Sequence, residues 1–154
     1  MLKIVFASIF VFSIAIFVIT NNSKSKSEYD KSIGTIEYFE KEFEDLPTRN
    51  EGDYRYLKVN AYPYPFEIYE PNSEPTEKKI DDLKVGDSIE IYYYEIPQTK
   101  TEGINRFVQF IDVEDTPHFI RNNFQKQIGY ALIGLCVFMN LFGYILLKKG
   151  KIKW

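Results

Sequence analysis

Catalysis needs nucleophiles, acids and bases at usable spacing, and this chain offers few. His118 is the sole histidine and Cys136 the sole cysteine. One imidazole rules out a multi-histidine metal centre and any catalytic pair built on two histidines. A Ser-His-Asp arrangement would have to use His118, yet no serine sits in a G-x-S-x-G elbow. His118 is therefore expected at a strand end on the surface. The eight glycines are scattered, so no phosphate-cradling loop is built. Carboxylates cluster at Glu37, Glu40, Glu42, Glu44 and Asp45, and again at Asp81, Asp82 and Asp87. Paired carboxylates can bind Ca²⁺ or hydrolyse glycosides. Neither cluster has the D-x-D-x-D-G order of an EF-hand, and Lys41, Lys78, Lys79 and Lys84 are interleaved, so solvated faces are expected. The expectation is no enzyme, no cofactor and no metal.

Recognition chemistry is better represented. In Ala61-Tyr62-Pro63-Tyr64-Pro65-Phe66-Glu67-Ile68-Tyr69, two X-Pro steps favour extended backbone and remove donors, so the stretch is an edge strand or a loop. Tyrosines displayed there suit a contact surface. Tyr62, Tyr64 and Tyr69 are candidate partner-binding residues, and Tyr92 and Tyr94 would extend the patch. The competing reading is a rigid hairpin connection whose aromatics cap the core.

Short alternating runs must position these groups. Half-buried strands are predicted at Gly34–Phe39, Tyr54–Ala61, Pro65–Tyr69, Ser88–Tyr94, Phe107–Ile111 and His118–Ile120, with a helical turn over Glu74–Leu83. In Val85-Gly86-Asp87-Ser88 the glycine can take a positive φ, so Gly86 and Asp87 form a structural corner into a strand. Three strands, a helical turn and two or three strands fit a small mostly-β domain, OB-like or a related barrel or sandwich.

Charge is segregated along the chain. Residues 21–127 hold 14 of the 19 Lys and Arg but all 22 Asp and Glu, a net −8. Phosphate backbones would be repelled, so nucleic acid is not an expected partner. The runs Ile4–Thr20 and Ile128–Leu147 carry no charge. A membrane-crossing helix needs roughly 20 apolar residues, so the sequence predicts two transmembrane helices flanking the β domain. The division is residues 1–3 as a cytoplasmic N-terminus, 4–20 as a signal anchor, 21–127 as an extracytoplasmic β domain, 128–147 as the second span and 148–154 as a basic cytoplasmic tail. A cleaved signal peptide is the alternative for the first run, but Val18–Asn22 has no A-x-A-like site. Lys148, Lys149, Lys151 and Lys153, without acids, place the tail in the cytoplasm. An inner bacterial membrane is expected, since richness in Ile, Lys, Asn, Tyr and Phe marks an AT-rich genome.

In the second run Gly129, Cys136, Asn140 and Gly143 share a helical face and are candidate helix-helix contacts, with Ser8 and Ala15 as the matching surface. Packing within one chain is favoured over a homo-oligomer.

The layout resembles an uncharacterised bacterial family of small two-span membrane proteins. The matching residues are Gly34-Thr35-Ile36, Val85-Gly86-Asp87-Ser88-Ile89-Glu90-Ile91-Tyr92-Tyr93 and the two apolar runs. Glu95-Ile96-Pro97 departs from that family's acidic residue followed directly by proline. The family carries no established activity, so the resemblance implies architecture alone. The function expected is a non-catalytic, membrane-anchored interaction or accessory protein whose partners are the bilayer and a basic protein. The alternatives are an immunity-type inhibitor of a basic toxin or enzyme, and a saccharide- or peptidoglycan-binding OB-like module.

Overall fold

A computed structural model describes residues 2–43 and 52–150. Glu44 and Asp45 of the first acidic cluster, and Lys151, Lys153 and Trp154 of the tail, lie outside the described residues. The chain divides into two units, one of Met1–Lys24 with Asn123–Trp154 and the other of Ser25–Asn122.

Alternation of apolar and polar residues builds the second unit. Its strands are β1 (Asp30–Glu40), β2 (Tyr54–Val59), β3 (Phe66–Tyr69), β4 (Ser88–Tyr93), β5 (Val108–Val113) and β6 (Thr116–Ile120). β2, β3 and β4 send every second residue inward. Leu57 and Val59, Phe66 and Ile68, and Ile89, Ile91 and Tyr93 meet Ile36, Val108, Ile111 and Phe119 in one core. Ile80 and Leu83, from and just after a 3₁₀ turn at Ile80–Asp82, close over it. Every such side chain taken fully out of water contributes about 1.5–3 kcal/mol before its entropy cost.

The six strands form one antiparallel sheet in the order β3-β2-β1-β4-β5-β6. The long strand β1 serves both halves: Asp30–Thr35 pairs with β4, and the stretch from Ile36 to Glu40 pairs with β2. A bulge between Ile36 and Tyr38 bends the strand where it changes partner. The sheet curls until Phe66 meets Asn105 in a parallel bridge. There the Glu67 N–H donates to the Asn105 carbonyl (2.8 Å) and the Asn105 N–H to the Pro65 carbonyl (2.9 Å). β5 and β6 are joined by Glu114 and Asp115 at φ 49° and 65°, two left-handed residues whose twist suits a tight hairpin. A short helix, α2 (Pro97–Glu102), follows β4 and ends at Gly103. Six residues are too few for hydrophobic periodicity to register.

The corner is built as a glycine corner must be. Gly86 has φ +100°, where a side chain is strained even in open space. Its N–H donates to the Ile36 carbonyl (2.9 Å), and the Ile36 N–H returns to the Asp87 carbonyl (2.9 Å). The Asp87 carboxylate accepts the Lys84 N–H at 2.8 Å.

The other unit holds α1 (Leu2–Asn21) and α3 (Phe124–Lys148). Here the expected architecture is corrected. Among the described residues one helix, α3, with 25 residues, is long and apolar enough to cross a membrane. The described apolar stretch of α1 is Phe6–Asn21. At 1.5 Å per residue it rises about 24 Å, short of the ~30 Å hydrocarbon core. Two spans flanking a domain are therefore not what this chain builds. The β part is likewise one six-stranded sheet and not two facing sheets.

Candidate functional site

The five tyrosines do not form one surface. Tyr62 is 6% exposed and lies in the core. Its ring stacks on Phe66 at 4.5 Å and tilts against Tyr93 at 4.8 Å. Its hydroxyl donates to Glu95 Oε1 (2.7 Å) and accepts from Asn105 Nδ2 (3.0 Å). Burial pushes that hydroxyl's pKa well above the ordinary phenol value; the Asn105 donor opposes the shift and the Glu95 carboxylate reinforces it. Display of Tyr62 on an edge is thus corrected: the ring packs inward on Phe66 and Tyr93, where Glu95 and Asn105 satisfy its hydroxyl. Tyr64, half-buried, stands edge-on to Tyr62 at 5.8 Å. Tyr94 is buried, stacked against Phe107 at 4.7 Å. Tyr69 pairs across strands with Tyr54 at 5.0 Å. Tyr92 lies on the outer face of β4, edge-on to Phe110, with Lys26 Nζ 4.6 Å above its ring and its hydroxyl donating to Glu90 Oε2 at 2.8 Å. Lys31 bonds the same Glu90 at 2.8 Å. Among the described residues no ring contact joins Tyr69 or Tyr92 to the Tyr62–Tyr64 pair.

In the second acidic cluster, Asp82 and Asp87 accept backbone N–H groups and Asp81 takes a side chain. Arg55 forks onto Asp81: Nε reaches Oδ1 and Nη2 reaches Oδ2 at 2.8 Å, while Nη1 donates to the carbonyls of Gly52 and Tyr54. Asp82 accepts the Lys79 N–H at 2.8 Å. Glu37, Glu40 and Glu42 are exposed along and just after β1. Among the described residues no three ligand-type side chains converge as a metal site would require. His118 Nδ1 sits 3.1 Å from the Thr116 carbonyl, half-buried on β6.

Several structural residues carry little or no signal in the sequence. Arg55 shares the inward parity of Leu57 and Val59, a signal that was available in Y-R-Y-L-K-V. Glu67 is buried and bonded by Arg106 Nε at 2.9 Å. Asn105, wholly buried, donates to Tyr62 and to the Tyr94 carbonyl (3.2 Å) and accepts the Phe107 N–H (2.8 Å). Nothing local marks it.

The Arg55 guanidinium holds the Asp81 carboxyl below the usual carboxylate range. Its contribution is therefore fully present above the unfolded value of about 3.9 and is lost as pH falls through the lower folded value. Asp81 is half-exposed, so water screens the pair, and Asp81→Asn is expected to cost about 1 kcal/mol at pH 7. Urea unfolding between pH 7 and pH ~2 checks this. The native chain should lose more stability below pH ~4 than the variant does; parallel curves would dismiss the pair as a stabiliser.

A groove of about 590 Å³ runs beside β1, lined by the residues from Tyr38 to Glu42 with Arg55 and Asp81. A smaller hollow of about 250 Å³ lies between α2 and the approach to β5.

In the helical unit α1 and α3 run antiparallel. A Cβ on Gly129 would fall 2.6 Å from Ile19 Cγ1 and 3.2 Å from the Ala15 carbonyl, so only glycine permits this approach. Asn140 Nδ2 donates to Ser8 Oγ (3.0 Å) and to the Cys136 carbonyl (2.8 Å), which answers the polar demand of an amide on an apolar helix. Cys136 Sγ faces the Ser8 carbonyl at 4.0 Å. Gly143 differs from the other three: its Cβ position has nothing within 4 Å. The α3 side chains Leu135, Phe138, Met139, Leu141 and Tyr144 are all more than half exposed.

Compared with known proteins, the chain matches no family model, no curated sequence and no solved structure.

Proposed function

We propose that this protein is a non-catalytic, membrane-anchored interaction module whose acidic β domain contacts a basic protein partner outside the cytoplasm. The carrying observation is the surface of α3. Its apolar window is 6% buried, unlike the core helix of a water-soluble protein, and it lies far from the N-terminus, unlike a signal sequence. So large an uncovered apolar area is costly in water and favourable in lipid. The basic tail after Leu147 supports a cytoplasmic C-terminus, which puts residues 25–122 across the membrane. Those residues hold 12 Lys and Arg against 22 Asp and Glu, a net −10, which favours a partner of opposite sign.

Reporters fused at Asn72 and after Trp154 are expected on opposite faces of the membrane, with the chain resisting alkaline carbonate extraction. Release by carbonate, or both reporters on one face, would defeat the reading.

A further inference from the structure

From the burial and bonding of Arg121, we infer that its guanidinium is a binding site for a phosphate group, supplied by a phospholipid headgroup. The inference rests on the proposed membrane anchoring and adds a specific lipid contact to it. Arg55 forks onto Asp81, and Arg106 reaches Glu67 and Glu102. Arg121, the residue after β6, differs: among the described residues it meets no carboxylate. Its Nη2 donates to the Arg106 carbonyl at 2.8 Å. Its Nε and Nη1 are shut off from water and find no acceptor among the described residues. An enclosed N–H without an acceptor forfeits its hydration, and an enclosed cation without an anion forfeits more. Burial pushes the guanidinium below the ordinary arginine pKa, opposed by the side chains of Tyr94 and Tyr29 and by no carboxylate. Those two rings stack on each other at 6.5 Å, and Tyr94 stacks on Phe107 at 4.7 Å. In a domain holding 22 acids, a buried cation that pairs with none of them is matched by an anion from outside the chain.

Chain position names the source of that anion. Arg121 precedes the first residue of α3 by three positions, a separation of at most about 11 Å. With α3 in the bilayer, so short a tether keeps Arg121 within reach of the headgroups. Free phosphate would be repelled by the net −10 of residues 25–122. A headgroup is held at the surface by its acyl chains and needs no attraction from solution. Guanidinium and phosphate oxygens form strong charge-assisted bonds. Tyrosine rings such as Tyr29 and Tyr94 are at home at the same depth. Arg121 as a whole is half-buried, so its Nε and Nη1 lie just under the surface, and a shift of a covering side chain admits the phosphate.

The test uses the full chain in dodecyl maltoside, a detergent without phosphate, and reads its melting temperature by near-ultraviolet circular dichroism. Three additions are compared: phosphatidylglycerol, diacylglycerol with the same acyl chains, and sodium phosphate at matched ionic strength. Each is applied to the native chain and to Arg121→Met, which keeps the apolar stem and removes the charge. Without additions the two chains should melt within a few degrees of each other, because the cation removed had no anion. Saturating phosphatidylglycerol should raise the native chain by about 4 °C or more. Diacylglycerol should not raise it, and neither lipid should raise Arg121→Met. An equal rise with sodium phosphate would keep the site and overturn the headgroup as its source. An equal rise with diacylglycerol, an equal rise in Arg121→Met, or no rise at all would overturn the site. If Arg121→Met does not fold, the ¹⁵N resonance of Arg121 Nε in the native chain decides. It should shift with phosphatidylglycerol and not with diacylglycerol, and an unmoved resonance would overturn the proposal. The micelle assay does not depend on topology, so its failure is separable from failure of the anchoring reading.

Discussion

Tyr62→Ala is expected to destabilise the β domain by about 3–5 kcal/mol, the range for removing a large aromatic from a packed core. The ring touches Phe66, Tyr93 and Tyr64, so its loss opens a cavity beneath three aromatics at once. The hydroxyl adds a second cost. Glu95 and Asn105 both bond it, and Asn105 is wholly enclosed. Tyr62→Phe keeps the ring and should cost about 1–2 kcal/mol, since an interior donor loses its partner. Tyr64→Ala, at a half-buried position, should cost less than Tyr62→Ala, and Tyr92→Ala should stay within about 1 kcal/mol. Urea unfolding of the detergent-solubilised chain, followed by near-ultraviolet circular dichroism of the tyrosines, ranks the four variants. If Tyr62→Ala lost less than 1 kcal/mol while Tyr92→Ala lost more, the assignment of Tyr62 to the core would fail.

The second large effect lies on the outer face of the sheet. Lys26, in the 3₁₀ turn Lys26–Glu28, pairs with Asp112 on β5, whose side chain is 2% exposed. Oδ1 of that carboxylate has no hydrogen-bond partner, so Lys26 is its main counterweight. Lys26→Met keeps the stem that crosses the Tyr92 ring but removes the charge. An enclosed carboxylate stripped of its cation typically costs 3–5 kcal/mol. The partial exposure of Lys26 puts the expected loss near the lower end, about 3 kcal/mol. Adding Asp112→Leu should restore most of it, because two apolar groups of similar shape can replace a buried pair with little net change. A double-mutant cycle reads the coupling. Additive single changes would mean that the two groups act independently and that the ion pair contributes nothing.

Parity and turn chemistry were legible in the sequence because they are local. Ile89, Ile91 and Tyr93 point inward because side chains alternate along a strand, and Phe66 with Ile68 obeys the same rule. Gly86 was recognisable because a tight corner into a strand needs a φ that other residues resist. The apolar run of α3 was legible from length and composition alone. Composition could not separate α1 from a second span, because both runs are free of charge and only the described length of the apolar helix distinguishes them.

What the tertiary structure decided are the contacts that join distant residues. Tyr62 and Tyr64 look alike in Tyr-Pro-Tyr-Pro, yet one is core and the other half-buried, because Glu95 and Asn105 wait for the first hydroxyl 33 and 43 residues further along the chain. Lys26 meets Asp112 across 86 residues. β1 serves both halves of the sheet only because one long strand changes partner at a bulge while the sheet curls to bring Phe66 beside Asn105. Local pattern sets which way each side chain faces. Register and curvature, chosen by the whole sheet burying its apolar face at once, set which side chains meet.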